Sequence, residues 1–198
     1  MKRFKFLLIA LILAMPSVAD AVEPYVGVKI GILEGVEKYS PHFNMTDSNG
    51  DNSDTDGMGA KVGLKINQYF AVELEHIVGG TVREVEFEQP PGTEEYNLES
   101  DYSHNAIYLV GFYNFTEKAY VYGKLGYLES EWTLDVTNRN TSAFVASVEA
   151  EDDTVAIGLG LGYQFNSLYS MELSYSEAGS DAYGNDFTHM SVDLTFTF

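Results

Sequence analysis

The 198-residue chain contains no cysteine and is strongly acidic, with 30 aspartates and glutamates against 11 lysines and arginines and a formal net charge of −19. This charge argues against electrostatic binding to nucleic acid or to anionic membrane surfaces. Its 14 tyrosines, 12 phenylalanines and 18 glycines, against 5 prolines, favour a strand-rich protein that folds without disulfides.

The start of the chain has the layout of a secretory signal peptide. Three basic residues precede the continuous apolar run 6–15, and Ala19-Asp20-Ala21 offers a small-residue cleavage site. The run is too short to cross a bilayer as a helix, and no later segment reaches the roughly 18 apolar residues that such a helix needs. We therefore predict a cleaved signal peptide over 1–21, rather than a buried helix, and one exported domain over 22–198.

Eight later stretches, each about ten residues long, alternate apolar and polar side chains as half-buried strands do. In the first, valines and isoleucines alternate with glycines and Lys29, whereas both faces of the fourth are apolar and its facing stays open. In the last, Met190, Val192 and Leu194 share a face with two phenylalanines. The predicted strands are 25–33, 59–67, 70–78, 105–115, 120–128, 154–165, 169–176 and 190–198.

The connections between these strands alternate between short and long. The short ones are 67–69, 116–118 and 166–168. The long ones are polar, hold most of the acidic residues and cover 34–58, 79–104, 129–153 and 177–188. Two strand-like stretches in the third, 132–136 and 144–148, are consistent with a protruding ribbon that extends the fifth and sixth strands. Because outer-membrane barrels combine short periplasmic turns with long extracellular loops, we predict an all-β, eight-stranded, antiparallel, up-and-down transmembrane β-barrel.

The apolar faces should point outward, because a lipid-facing lysine near the bilayer midplane costs about 2–4 kcal/mol. The charged residues of the opposite faces then share an interior only wide enough for side chains to fill, so they should pair. The competing interpretation is a soluble sheet with solvent-facing charges. The predicted lumen charge network is Lys29, Lys61, Lys65, Glu73, Glu75, Lys124, Glu172 and Asp193.

Aromatic residues lie beside the short turns and the chain ends, where the interfacial girdle of a transmembrane barrel is expected. In a soluble protein the same residues would be corners of the core. The predicted periplasmic girdle is Tyr25, Tyr69, Phe70, Phe115, Tyr120, Tyr163, Phe165, Tyr169, Phe196 and Phe198.

With these features the chain resembles the small eight-stranded outer-membrane barrels: the OmpA transmembrane domain, OmpX and the opacity-type porin-like proteins. The resemblance spans the mature chain and rests on the segments 25–31, 120–127 and 158–165 and on the terminal phenylalanine. It implies that the last strand carries the signal read by the barrel-assembly machinery, a pattern that Leu194, Phe196 and Phe198 match.

Candidate metal sites are weak. The segment 52–57 resembles the start of a calcium-binding loop, but Gly63 stands where the twelfth-position glutamate is expected, so a solvated acidic loop is the simpler interpretation. His76 should lie near the outer rim, and neither His42 nor His104 has a sequence partner that suggests a metal site. We predict no metal site and no cofactor.

The last strand also contains one candidate catalytic pair. His189 and Ser191 share a strand face, as a histidine-activated serine of a lipid A deacylase-like enzyme would require. The alternation turns this face toward the lumen, away from lipid, so we predict no catalytic residue.

The sequence therefore predicts an integral protein of a Gram-negative outer membrane with a structural or surface-interaction role through its acidic extracellular loops. A narrow porin-like channel is the alternative, and a lipid A-modifying enzyme is a third possibility. The expected partners are outer-membrane lipids and lipopolysaccharide, the barrel-assembly machinery and divalent cations at the acidic loops. We expect no nucleic acid partner and a monomer.

Overall fold

Eight antiparallel strands close into a barrel, because each strand pairs with the next and the last pairs with the first. The computed structural model describes residues 22–35, 53–83, 96–138, 140–179 and 187–198, so the predicted signal peptide lies outside the described residues. The strands are β1 Glu23–Gly35, β2 Ser53–Lys65, β3 Phe70–Arg83, β4 Tyr96–Asn114, β5 Ala119–Asn138, β6 Ala143–Gln164, β7 Tyr169–Ala178 and β8 Phe187–Thr197. The predicted fold class is confirmed.

The alternation of side chains gives the barrel an apolar outer surface and a polar interior. On β1, Val28 and Ile30 are 55% and 63% exposed, whereas Lys29 between them is 1% exposed. The same alternation resolves the facing of β4, where Tyr108 and Val110 point into the lumen. A soluble protein buries its aliphatic side chains, so this inverted distribution indicates an apolar surrounding.

Several strands extend beyond the predicted bounds at the end opposite the short turns. The start of β4 lies at Tyr96, and β5 and β6 stay paired from Glu129↔Asp153 up to Asn138↔Ala143. We call this extension, residues 129–138 and 143–153, the β5–β6 ribbon. It confirms the ribbon expected from the two strand-like stretches in the third long connection.

The three short turns are tight, as predicted, and each is held by a side-chain oxygen. Asn67 Oδ1 accepts hydrogen bonds from the backbone N–H of Tyr69 at 2.8 Å and of Phe70 at 2.9 Å. Thr116 and Asn166 make the equivalent pairs in the other two turns. Asparagine and threonine favour turns because their side chains replace a missing backbone partner.

The calcium-like segment does not form a loop over its described part. Residues 53–57 begin β2 and pair with residues 31–35 of β1. An extended strand cannot wrap around a cation as a twelve-residue calcium loop does. The part of the chain that the structure covers contains no helix long and apolar enough to cross a bilayer.

Candidate functional site

Seven charged side chains from six strands meet in the middle of the lumen. Each is at most 6% exposed. They sit there because their positions have the inward parity of their strands. This lumen network consists of Lys29, Lys61, Glu73, Glu75, Lys124, Glu172 and Asp193.

Lys61 joins strands that lie far apart in the sequence. Its Nζ donates hydrogen bonds to Glu172 Oε2 at 2.7 Å and to Asp193 Oδ2 at 3.0 Å, and it lies 4.0 Å from Glu73 Oε2. The two hydrogen-bonded carboxylates are 111 and 132 residues away along the chain. One ammonium group therefore links β2 to β7 and β8 through the barrel interior.

The other two lysines of the network also contact two carboxylates each. Lys29 Nζ donates to Glu75 Oε2 at 2.6 Å and lies 3.7 Å from Asp193 Oδ2. Lys124 Nζ donates to Glu73 Oε1 and lies 3.4 Å from Glu75 Oε2. Because burial removes the hydration of each charge, multiple opposite charges are needed to compensate for it.

Lys65, the eighth residue of the predicted network, lies inside the barrel but does not pair with the other seven. Its side chain is half-buried and lines a small cavity at the turn end of the lumen. It makes no ion pair with any carboxylate of the described residues. A partly exposed ammonium keeps much of its hydration, so it does not need a buried partner.

Hydroxyl groups complete the hydrogen bonding of the carboxylates. Tyr25 donates to Glu73 Oε2 at 2.8 Å, and Tyr120 donates to Glu172 Oε1 at 2.9 Å. Ser191 donates to Asp193 Oδ1 at 2.6 Å. These bonds give the buried oxygens the partners that water would otherwise supply.

Two tyrosines that donate hydrogen bonds to the lumen network were wrongly predicted to belong to the outer girdle. Tyr25 and Tyr120 lie next to short turns or a chain end, but they point into the lumen and not outward. Their inward facing follows from parity, because Tyr25 shares a strand face with Lys29 and Tyr120 with Lys124. Proximity to a turn therefore misled the prediction at these two positions. The outer-surface aromatics include Tyr69, Phe70, Phe115, Tyr163, Phe165, Tyr169 and Phe198.

Several lumen tyrosines lie over a glycine of the neighbouring strand. A Cβ added to Gly63 would lie 2.1 Å from Tyr25 Cζ, and one added to Gly160 would lie 2.3 Å from Tyr122 Cζ. Gly162 and Tyr120 form a third pair of this kind. The glycines thus provide the space that the rings occupy, as glycine–aromatic pairs do in other sheets.

The upper lumen, toward the long connections, contains two buried histidines. His104 Nε2 lies 3.6 Å from Glu75 Oε1, and its Nδ1 is 3.0 Å from the Tyr102 hydroxyl oxygen. His189 is 3% exposed, and neither of its ring nitrogens has a hydrogen-bond partner among the described residues. A cavity of about 10 Å³ beside both histidines, like the one near Lys65, has room for about one water molecule.

The candidate catalytic residues Ser191 and His189 do not contact each other in the structure. Ser191 bonds to Asp193 and lies 2.6 Å from Ser174 Oγ, whereas His189 makes no hydrogen bond to it. A serine nucleophile needs an adjacent base to remove its proton. On the outer surface His76 Nδ1 is 3.0 Å from Asn105 Oδ1. Within the described ranges no three histidine, aspartate or glutamate side chains are grouped to hold a metal ion.

Comparison with protein families identifies the architecture. Residues 4–198 match the family described as outer membrane protein beta-barrel domain. The chain belongs to this family. Its apolar outer surface is therefore the surface that faces the lipids of a Gram-negative outer membrane, and the short turns are expected on the periplasmic side.

Solved outer-membrane barrels share this fold at low sequence identity. Ail, the attachment invasion locus protein of Yersinia pestis, is 14% identical, with a TM-score of 0.54 over 89% of this chain and 99% of Ail. OprG of Pseudomonas aeruginosa is 12% identical, with a TM-score of 0.58 over 90% of this chain and 96% of OprG. At these identities the likeness shows the fold alone. No curated protein matches the sequence.

The last strand presents its terminal aromatics to lipid. Leu194 and Phe198 are about half exposed or more, and Phe196 contacts Phe198 edge to face with ring centroids 4.8 Å apart. The backbone N–H of Phe198 donates to the carbonyl of Pro24 at 3.0 Å. The strand end that the resemblance assigns to barrel assembly thus lies at the β1–β8 seam, where the barrel closes.

Proposed function

We propose that this outer-membrane barrel is a structural and surface-interaction protein whose contact surface is the β5–β6 ribbon. The observation that carries the proposal is the pairing of like charges on this ribbon. Glu129 lies directly opposite Asp153, and Glu131 lies directly opposite Glu151, on adjacent strands. Like charges in directly opposed positions destabilise a sheet, so their presence calls for a stabilising partner.

The acidic positions continue the lipid-facing side of the barrel. Leu125 and Tyr127 precede Glu129 and Glu131 at the same parity of β5, so the carboxylates follow directly beyond the apolar wall. Glu131, Glu149 and Asp153 are exposed. In an outer membrane, carboxylates directly beyond the apolar wall would lie at the level of the lipid headgroups, where the phosphate groups of lipopolysaccharide are expected.

We infer that divalent cations join the ribbon carboxylates to phosphate groups of lipopolysaccharide. Since no three-ligand cluster exists in the described part of the chain, the cations would be held by the summed field rather than by chelation. Ail, a barrel of the same fold, has been crystallised with the heparin analogue sucrose octasulfate. The acidic ribbon of this chain favours the opposite kind of partner, one that presents cations.

The proposal can be tested by co-migration of the refolded protein with purified lipopolysaccharide in gel filtration, with and without Mg²⁺. We expect a complex that forms in Mg²⁺ and dissociates on chelation, and that E131Q/E151Q weakens. The matched control E23Q/E117Q removes two exposed carboxylates at the short-turn end of the barrel and should leave the complex unchanged. Equal binding by both variants, or binding that ignores Mg²⁺, would refute the role of the ribbon.

A narrow channel is the second candidate and is disfavoured by the lumen network. The paired charges and tyrosines fill the middle of the barrel, and the cavities at its two ends each hold about one water molecule. We expect no reproducible conductance steps in planar bilayers. Regular steps from the wild type that a network variant alters would establish a channel instead.

The remaining roles follow from the same proposal. We propose that the protein is a monomer without enzymatic activity or cofactor, that residues 1–21 are removed on export, and that Leu194, Phe196 and Phe198 form the signal for barrel assembly. Mass spectrometry of lipid A from cells with and without the protein tests whether the protein modifies lipid A. A deacylated lipid A species that depends on the protein would overturn it.

A further inference from the structure

The lipid-facing wall of the barrel carries a groove between β4 and β5 near the short turns. Its volume is about 350 Å³. Gly111 of β4 and Gly123 of β5 lie directly opposite each other and form its floor. The side chains of Tyr69, Phe70 and Tyr113 stand around this floor. The groove thus interrupts a wall that is otherwise covered by aliphatic and aromatic side chains.

Internal packing does not explain these two glycines. A Cβ at Gly111 would meet only Phe70 Cε1 at 3.8 Å, and one at Gly123 only the Gly158 carbonyl oxygen at 3.9 Å, which are ordinary contacts. At Gly160, in contrast, the added atom would collide with a tyrosine ring. Glycine in a strand interior weakens the strand, and often marks a place where another molecule approaches closely.

A positive charge lies beyond the periplasmic end of this groove. Lys118 is exposed in the turn that joins β4 to β5, next to Glu117. Among the lysines that the structure describes, it is the only one outside the lumen, because Lys29, Lys61, Lys65 and Lys124 all line the interior. In a chain with net charge −19, a single external lysine at this position is complementary to a phosphate group.

We propose that the groove binds one phospholipid of the periplasmic leaflet. One acyl chain lies across the Gly111–Gly123 floor between the aromatic side chains, and the headgroup phosphate contacts Lys118. Because the chain belongs to an outer-membrane barrel family, this surface faces the acyl chains of the membrane. Tyrosines favour the boundary between acyl chains and headgroups. The inference is independent of the function proposed for the ribbon, which lies at the other end of the barrel.

Native mass spectrometry of the refolded full chain, with palmitoyl-oleoyl-phosphatidylglycerol added to the detergent, tests this site. We expect the wild type to retain one lipid. In G111L/G123L the fraction of protein that retains a lipid should fall at least about fivefold, because the leucines occupy the space of the acyl chain. The control V28L/V192L adds bulk to the opposite lipid-facing wall, on β1 and β8, and should match the wild type. K118Q should lower retention of this anionic lipid by removing the phosphate contact.

A separate control checks that each variant folds. Its gel migration is compared before and after boiling, which distinguishes the folded from the unfolded form. If G111L/G123L does not fold, G123V replaces it as a groove-filling variant with a smaller side chain. Retention by both groove-filling variants equal to that of V28L/V192L would overturn the proposal. A dimer of the wild type that G111L/G123L abolishes would also overturn it, since the groove would then bind a second copy of the chain.

Discussion

The lumen network holds four carboxylates and the β5–β6 ribbon holds seven, and their surroundings differ in the two regions. In the lumen each carboxylate has an ammonium group within 4.0 Å and all are buried. On the ribbon carboxylates face each other across two strands, and most are exposed. We therefore expect removal of an inner charge to destabilise the barrel and removal of an outer charge to stabilise it; under the function proposed above, the outer charges are retained for contact with a partner.

The largest effect should come from removing one lysine of the lumen network. K61M leaves Glu172 buried without its ion-pair partner and leaves Asp193 with only Lys29, at 3.7 Å, so we expect a loss of about 3–5 kcal/mol in the free energy of unfolding. The matched control K65M removes a half-buried lysine without an ion pair among the described residues, and should change stability by about 0.5 kcal/mol or less. Urea unfolding in lipid vesicles measures both, and equal losses would contradict the distinction between the two lysines.

Removing a hydroxyl group that donates to the network should have the next largest effect on the free energy of unfolding. Y25F removes the hydrogen bond to Glu73 but keeps the ring over Gly63. Hydrogen bonds to charged groups contribute about 1.5–3 kcal/mol, so we expect a loss in that range in the same unfolding assay. Y69F, on the outer surface, serves as the control and should match the wild type.

The lumen should also be intolerant of a single added methyl group. G160A places a Cβ within 2.3 Å of the Tyr122 ring, and overpacking of this kind costs about 1–3 kcal/mol. G123A adds the same group where only ordinary contacts exist, and should be neutral or stabilising. A smaller loss for G160A than for G123A would show that the ring does not occupy that space.

The smallest effect should have the opposite sign and should occur on the ribbon. E131Q/E151Q removes a directly opposed pair of like charges, so we expect a gain of about 0.2–1 kcal/mol at low ionic strength. The gain should disappear at about 1 M salt, where exposed charges are screened beyond a few ångströms. Unfolding at two salt concentrations measures it, and a loss of stability at low salt would show that the two carboxylates do not repel each other.

The transmembrane part of the fold was predictable because one face of each strand is apolar and the other is not. That contrast fails in β4, where Ala106 and Val110 face inward and Ile107 and Leu109 face outward, so its facing required the structure. Beyond the membrane the alternation persists in part, since Tyr96, Leu98 and Tyr102 alternate with polar residues. We nevertheless assign 96–104 to a loop from the sequence, because it lies within a long acidic connection.

The charged residues of the lumen were identifiable from parity, but their pairing was not. Contacts such as Lys61 with Glu172 depend on the stagger of eight strands around the closed barrel, which no local pattern encodes. The inward facing of two tyrosines could also have been predicted from the sequence. Tyr25 and Tyr120 share the parity of the lysines on their own strands, and each pairs in register with a glycine.

The tyrosine–glycine pairs have a consequence for how such barrels diverge in evolution. Tyr25 and Gly63 together fill one volume, so neither position can change size alone without a clash or a void. Homologues that lack the ring at 25 should carry a bulkier residue at 63, and positions 122 and 160 should covary in the same way. An alignment of related barrels would then reveal which strands are neighbours from compensating sizes alone.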